Sequence, residues 1–161
     1  TGWHLADLDE DLVAMPYGWN QGQHLAFGHF GYPDYPDGQL RASPRDLATF
    51  MLTYGEGGTL GGVTLLESTT IDEMWTPQLP SIEPTQGIFW YWETMVGSPV
   101  IGHNGSDYGV ATDMYYDPAT GVGIVTLLNA DTPASIYGSM WDIEDKLFEV
   151  GNALTALEQT P

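Results

Sequence analysis

The stretch from about Gly87 to Asn129 constrains this fold more than any other part of the sequence. Ile88 to Met95 is rich in aromatic and β-favouring residues. Gly97-Ser98-Pro99 then turns the chain into a strand over Val100 to Asn104, and two more strands are predicted over Gly109 to Tyr116 and Gly121 to Asn129. Asp117-Pro118-Ala119-Thr120-Gly121 joins the last two, with Pro at the second turn position and Gly available for positive φ, which is hairpin chemistry. Val122, Ile124, Val125, Leu127 and Leu128 make a nearly continuous apolar run, as in a strand covered on both faces. Such strands need something to lie on them. The pattern over about Pro133 to Leu157 supplies it: Ile136, Met140, Ile143, Leu147, Val150, Leu154 and Leu157 step by four and three, the stripe of a long amphipathic helix. Packing of that stripe on the sheet is expected, with a coiled-coil partner as the competing explanation.

The rest of the chain is arranged around this unit. Residues 1–42 read as irregular, broken by Pro16, Gly18, Gly22, Gly28 and the turn-rich run Gly31 to Gly38. Residues 43–77 read as helical. Ser43-Pro44-Arg45-Asp46 is a helix start, with Leu47, Phe50, Met51 and Tyr54 on one face and Gly55, Gly57 and Gly58 as the stop. A second short helix is expected over Thr69 to Trp75, capped by Ser68. Residues 87–161 form the sheet and terminal helix. The expectation is one α+β domain over 1–161: an antiparallel meander, a long C-terminal helix packed on it, and two short helices.

Composition narrows the partners. Twenty-two acidic residues face three basic ones, Arg41, Arg45 and Lys146, for a net charge of −19. Such a chain repels phosphate backbones and anionic lipid, so nucleic acid and membrane surfaces are not expected partners. An acidic, solubilising surface is one reading, and a marine or saline source, where counterions screen the self-repulsion, is the sharper one. Cysteine is absent, which excludes disulfides and Cys-based zinc sites. No apolar run is long enough for a membrane span. The chain begins at Thr1 rather than Met, which suggests a processed, engineered or partial polypeptide.

The most informative local string is Gly102-His103-Asn104-Gly105-Ser106, at a predicted strand end and followed by Asp107-Tyr108-Gly109. A polar side chain and a Gly there can form one wall of a cleft, with a following N–H aimed at an anionic oxygen. Other candidates fall away. Asp7 to Asp11 starts like a calcium loop, but Leu12 stands where Gly is required. His24 and His29 have no carboxylate pattern beside them, so no metal and no cofactor is expected. Asp34 and Asp37 read as turn formers. Core packing is the expectation for Trp90 and Trp92.

Three ordered segments resemble the serine hydrolases related to class C β-lactamases and penicillin-binding proteins. They are Gly38 to Phe50 (Gly-Gln-Leu-Arg-Ala-Ser-Pro-Arg-Asp-Leu-Ala-Thr-Phe), Gly61 to Ser68 with Met74, and Gly102 to Gly109 with Asp117-Pro118 and Leu127-Leu128-Asn129. The resemblance covers about residues 1 to 130 and implies a partial β-lactamase/transpeptidase-like fold. It aligns His103 with the Lys or His of the third catalytic motif, Gly105 with its Gly, and the Ser106 N–H with the second oxyanion donor. Asn104 takes the place of the substrate-binding Thr or Ser. An ordinary imidazole is only partly charged at neutral pH, so His favours an esterase, amidase or D-peptidase relative over an antibiotic hydrolase. A secreted or periplasmic location is implied by the same likeness.

The motif that would supply the nucleophile is missing. The only Lys is Lys146, and Ile143 stands three residues before it, so the sequence holds no Ser-x-x-Lys. Tyr17-Gly18-Trp19-Asn20 has its Asn one place too late for the second motif. The expectation is a fragment keeping the third-motif wall of an acyl-transfer site. It would be inactive alone, its small acyl substrate and nucleophile-bearing N-terminal part belonging to a parent protein. The alternative is a non-catalytic, partner-binding or self-associating module, with a homodimer possible.

Overall fold

The structure is a computed structural model that describes residues 1–161 except Tyr32, Asp34, Thr132, Pro133 and residues 159–161; the side chains of residues 134–137 and 158 also lie outside the description. The turn role of Asp34, the helix start at Pro133 and the place of Ile136 in the apolar stripe therefore fall outside the described residues.

Two short 3-10 turns, Leu5–Asp7 and Glu10–Leu12, open the chain. An antiparallel hairpin of β1 (Tyr17–Asn20) and β2 (Gln23–Ala26) follows, within the region expected to be irregular. Gln21 and Gly22 both have positive φ, the geometry of a two-residue hairpin turn usually marked by Asn-Gly. Next come α1 (Pro44–Gly55), a small hairpin of β3 (Thr59–Leu60) and β4 (Val63–Thr64), and α2 (Ser68–Trp75). Ser43 caps α1 as expected, its hydroxyl accepting from the Asp46 N–H at 3.1 Å, and Pro44 fills the first turn. Helix α2 differs: it begins at Ser68, its N-cap is Glu67, and no side chain bonds to its first turn.

The central sheet is a four-stranded antiparallel meander in the order β5 (Tyr91–Met95), β6 (Ser98–Asp107), β7 (Val110–Asp117), β8 (Val122–Leu128), closed by α3 (Ala134–Glu158). The architecture is α+β, with antiparallel sheets and three α-helices. The 117–121 hairpin forms as predicted: the Gly121 N–H bonds the Asp117 carbonyl, the Ala119 N–H bonds Asp117 Oδ1, and Gly121 takes positive φ.

Alternation along the strands sorts the core into two layers. On one face, Met51 and Tyr54 of α1 and Ile71 of α2 meet Trp90, Ile101 and Tyr116. Gly123 lets α1 close on the sheet, since a Cβ there would stand 2.2 Å from the Met51 methyl. On the other face, Phe148 of α3 meets Met95, Val100, Tyr115, Val122 and Ile124. Burying a side chain such as Phe148 or Ile101 contributes about 1.5–3 kcal/mol each. Trp90 is buried and Trp92 half-buried with its indole N–H bonded to the Trp75 carbonyl at 2.8 Å, so both serve packing.

Helix α3 does not use the stripe the sequence suggested. Its sheet-facing residues are Met140, Glu144 and Phe148, spaced by four, with Gly151 against Val122. Of the expected stripe, Met140 is buried, while Ile143, Leu147, Val150, Leu154 and Leu157 are exposed. The stripe therefore lies on the helix flank. The core face escaped notice because its middle position is a carboxylic acid.

Candidate active site

Strand β6 runs longer than β5, and this leaves an open strand edge at the candidate site. The β5 ladder ends at the pair Tyr91 and Gly102. From His103 to Asp107, β6 is paired with β7 on one side and open on the other. Gly102 sits at the point of departure; a Cβ there would stand 2.2 Å from both the Met114 carbonyl oxygen and the Tyr115 ring.

Backbone direction along the open stretch follows from two contacts. The Thr112 hydroxyl donates to the Gly105 carbonyl at 3.4 Å, which places that carbonyl on the β7 side. The neighbouring backbone groups, of Asn104 and Ser106, then point the other way, to the open edge. The His103 ring confirms the direction for Asn104: Nδ1 lies 2.5 Å from the Asn104 carbonyl. A carbonyl only accepts, so this contact needs the proton on Nδ1, and in the neutral ring Nε2 is left as an acceptor. Tyr91 packs edge-on to the imidazole, with ring centroids 5.4 Å apart. The Tyr91 hydroxyl is held at 2.6 Å from that of Tyr115, and burial pushes both phenols above their ordinary range.

The four sequence-predicted site residues divide. By strand alternation His103 and Gly105 belong to the α1 side of the sheet, whereas Asn104 and Ser106 send their side chains to the α3 side. There Asn104 and Ser106 line a small cavity of about 70 Å³ with Ala111, Thr112, Asp113 and Trp141. What Asn104 and Ser106 offer at the open edge is backbone. Gly105 keeps the wall low, since its only close neighbour would be the Thr112 hydroxyl at 2.8 Å from an added Cβ. Tyr17 and Asn20 lie in β1 and do not join the site.

Asp131, not singled out in the sequence, ties the far end of this wall. Its Oδ1 accepts from the Gly109 N–H at 2.6 Å, its Oδ2 from the Trp19 N–H at 3.3 Å, and its own N–H donates to the Tyr17 carbonyl. Asn129 adds a bond from its amide to the Met15 carbonyl at 2.9 Å. The β1–β2 hairpin is thereby held over the Tyr108-Gly109 turn, where Phe27 meets Tyr108 edge-on at 6.0 Å. The clue was an acid shortly after a strand end, too common a pattern to single out. Among the described residues no cluster of three or more metal-ligating side chains exists, the Asp7 to Asp11 run included.

A strand with an open edge, a His-x-Gly string on it and a helix-covered antiparallel sheet behind it agrees with what the family comparison finds. The Beta-lactamase family model matches residues 1–146. The chain belongs to the β-lactamase family. That membership is consistent with a serine hydrolase of the β-lactamase and penicillin-binding-protein-like kind, and makes this chain a β-lactamase-related hydrolase at family level. A comparison with curated proteins gives no match. Among the described residues of this β-lactamase-family chain, no helix is long and apolar enough to cross a membrane.

Proposed function

We propose that this chain contributes the third-motif wall of an acyl-transfer site of the esterase, amidase or D-peptidase type, on a partial β-lactamase/transpeptidase-like fold. The observation that carries the reading is the open edge of β6, with the backbone of Ser106 facing outward beside the His103 ring. The Ser106 N–H stabilises the oxyanion of the tetrahedral intermediate, a contribution typically worth about 10²–10³ in rate. His103, with Nδ1 tied to the Asn104 carbonyl, presents Nε2 to the cleft, where it accepts a proton or a hydrogen bond. The nucleophile and its base come from a Ser-x-x-Lys segment outside these 161 residues, so the chain alone is inactive.

The test is hydrolysis of a chromogenic ester. The chain alone is expected to give no burst and no turnover above a denatured control. Joined to a Ser-x-x-Lys-bearing segment of a family member, it is expected to turn over, and His103→Ala should then lower kcat by about 10²-fold or more. A burst from the chain alone would overturn the claim that it lacks a nucleophile. Turnover indifferent to His103→Ala would remove the wall from the mechanism. A second reading, a self-associating module without catalysis, has its own observation in the exposed apolar flank of α3.

A further inference from the structure

On the α3 side of the sheet, behind the open edge of β6, lies the small polar cavity that the proposed wall does not use. It measures about 70 Å³, against the roughly 30 Å³ that one water takes in the liquid. Strand register builds it. Asn104 pairs with Asp113 and Ser106 with Ala111, so the side chains of Asn104, Ser106 and Asp113 share one face of the sheet. Trp141 of α3, 57% exposed, lines the cavity where it meets solvent.

Asp113 sets the chemistry. It is only 5% exposed, yet it lines this cavity. Behind it stands the carboxyl of Glu144, wholly buried, with the Thr126 hydroxyl as a further neighbour. A proton on Glu144 can point at Asp113, but no cation of the protein answers the charge. None of the residues lining the cavity is basic. Arg41 braces the N-terminal segment and Lys146 is paired with Glu149. Arg45 stands in the first turn of α1, across the sheet, and His103 belongs to that side as well. A buried carboxylate facing an empty polar space calls for a positive partner from outside.

We propose that this cavity binds the ammonium group of a primary amine. An ammonium group has three donors and no acceptor, and the cavity offers it the Asp113 carboxylate, the Asn104 side-chain carbonyl and the Ser106 hydroxyl. The Trp141 indole attracts an organic cation, and the alkyl part leaves past it toward solvent. Glu144 keeps its proton and turns it to Asp113, so one positive charge meets one negative. The net charge of −19 raises the local concentration of any cation. The site takes the side chains of Asn104 and Ser106, whereas the proposed wall takes their backbone. Its test needs no turnover, so either reading can fail alone.

The intact ¹⁵N-labelled chain, titrated at pH 7 and constant ionic strength with methylammonium chloride, is expected to show saturable NMR shifts at the Asn104 side-chain amide and the Trp141 indole N–H. The Kd should be on the order of 10 mM, the ceiling for a ligand of two heavy atoms. Tighter binding of Nα-acetyl-lysine amide would assign the site to an amine carried on a chain, and weaker binding to a free small amine. Asp113→Asn should weaken binding tenfold or more, Trp141→Ala severalfold, and Glu144→Gln, whose amide still donates to Asp113, hardly at all. No saturable shift with either amine would overturn the proposal. So would equal shifts from sodium or tetramethylammonium chloride, or binding that Asp113→Asn leaves intact. If Asp113→Asn fails to fold, the exposed Trp141→Ala decides, and undiminished binding there sinks the site.

Discussion

Glu144 is wholly buried against the sheet, with Asp113 and Thr126 as its polar neighbours and no hydrogen bond of ordinary geometry to either of its carboxyl oxygens. Asp113, itself buried on β7, lies close enough to couple with it, although no bond of ordinary geometry joins them. An ionised, unpaired carboxylate there would be very costly, so the fold favours the protonated acid. Burial, and then the charge of Asp113, push Glu144 up to about 8; burial likewise pushes Asp113 upward. The folded state therefore holds protons that the unfolded chain releases from the ordinary value of 4.5 upward. Stability from this pair is fully present below that range and is lost as the pH rises toward about 8. The expected outcome is a melting temperature that falls between pH 5 and pH 8, and a Glu144→Gln variant in which much of that fall is gone. At pH 8 the variant should melt about 5 °C or more above the parent. Equal slopes for the two proteins in thermal scans at fixed ionic strength would remove Glu144 as the cause.

At the scale of elements, Asp131 tests how the β1–β2 hairpin is fastened. Both its oxygens accept backbone N–H bonds, from Gly109 and from Trp19. Removing a charged acceptor of this kind costs about 1.5–3 kcal/mol. Asp131→Ala should therefore lower stability by that order and speed amide exchange over 17–26 more than over the central sheet. Uniform exchange across both regions would show that the hairpin is held by something else. These elements also show what sequence can convey. The Ser43-Pro44 helix start and the Asp117 to Gly121 turn each depend on residues adjacent in the chain, and both form as expected. Strands β6 to β8 likewise followed from local runs. The hairpin at Gln21-Gly22 was hidden because Gln seldom takes the left-handed turn position that Asn favours. The facing of α3 was hidden for a different reason. Its apolar periodicity marks a real surface, but the sheet is met by Met140, Glu144 and Phe148, and a buried acid reads locally as a solvent residue. The His103-Asn104-Gly105 string was legible as a strand segment beside a turn; that β5 stops at Tyr91 and leaves the edge of β6 open is a property of pairing, which no local pattern contains.

The whole molecule carries 22 carboxylates against three cations, and two of those cations already have local duties. Arg41 donates to the carbonyls of Trp3 and Phe30, both at 2.8 Å, bracing the N-terminal segment, and Lys146 is paired with Glu149. The N-terminal amine and the Thr1 hydroxyl turn to Asp46, whose carboxyl is held below its ordinary value chiefly by that hydroxyl. Little positive charge remains to offset the other acids, so they repel one another more in the compact fold than in the expanded chain. Mobile counterions reduce that repulsion, with a screening length of about 10 Å at 0.1 M and about 3 Å at 1 M salt. The melting temperature should consequently rise between low and molar sodium chloride. The rise should be steeper at pH 8 than at pH 5, where more of the carboxylates are neutral. Equal concentrations of sodium and potassium chloride should act alike, since screening depends on ionic strength rather than on a bound ion. A flat salt profile would mean that the acids are spaced widely enough not to interact. A strong preference for one cation would replace diffuse screening with site binding.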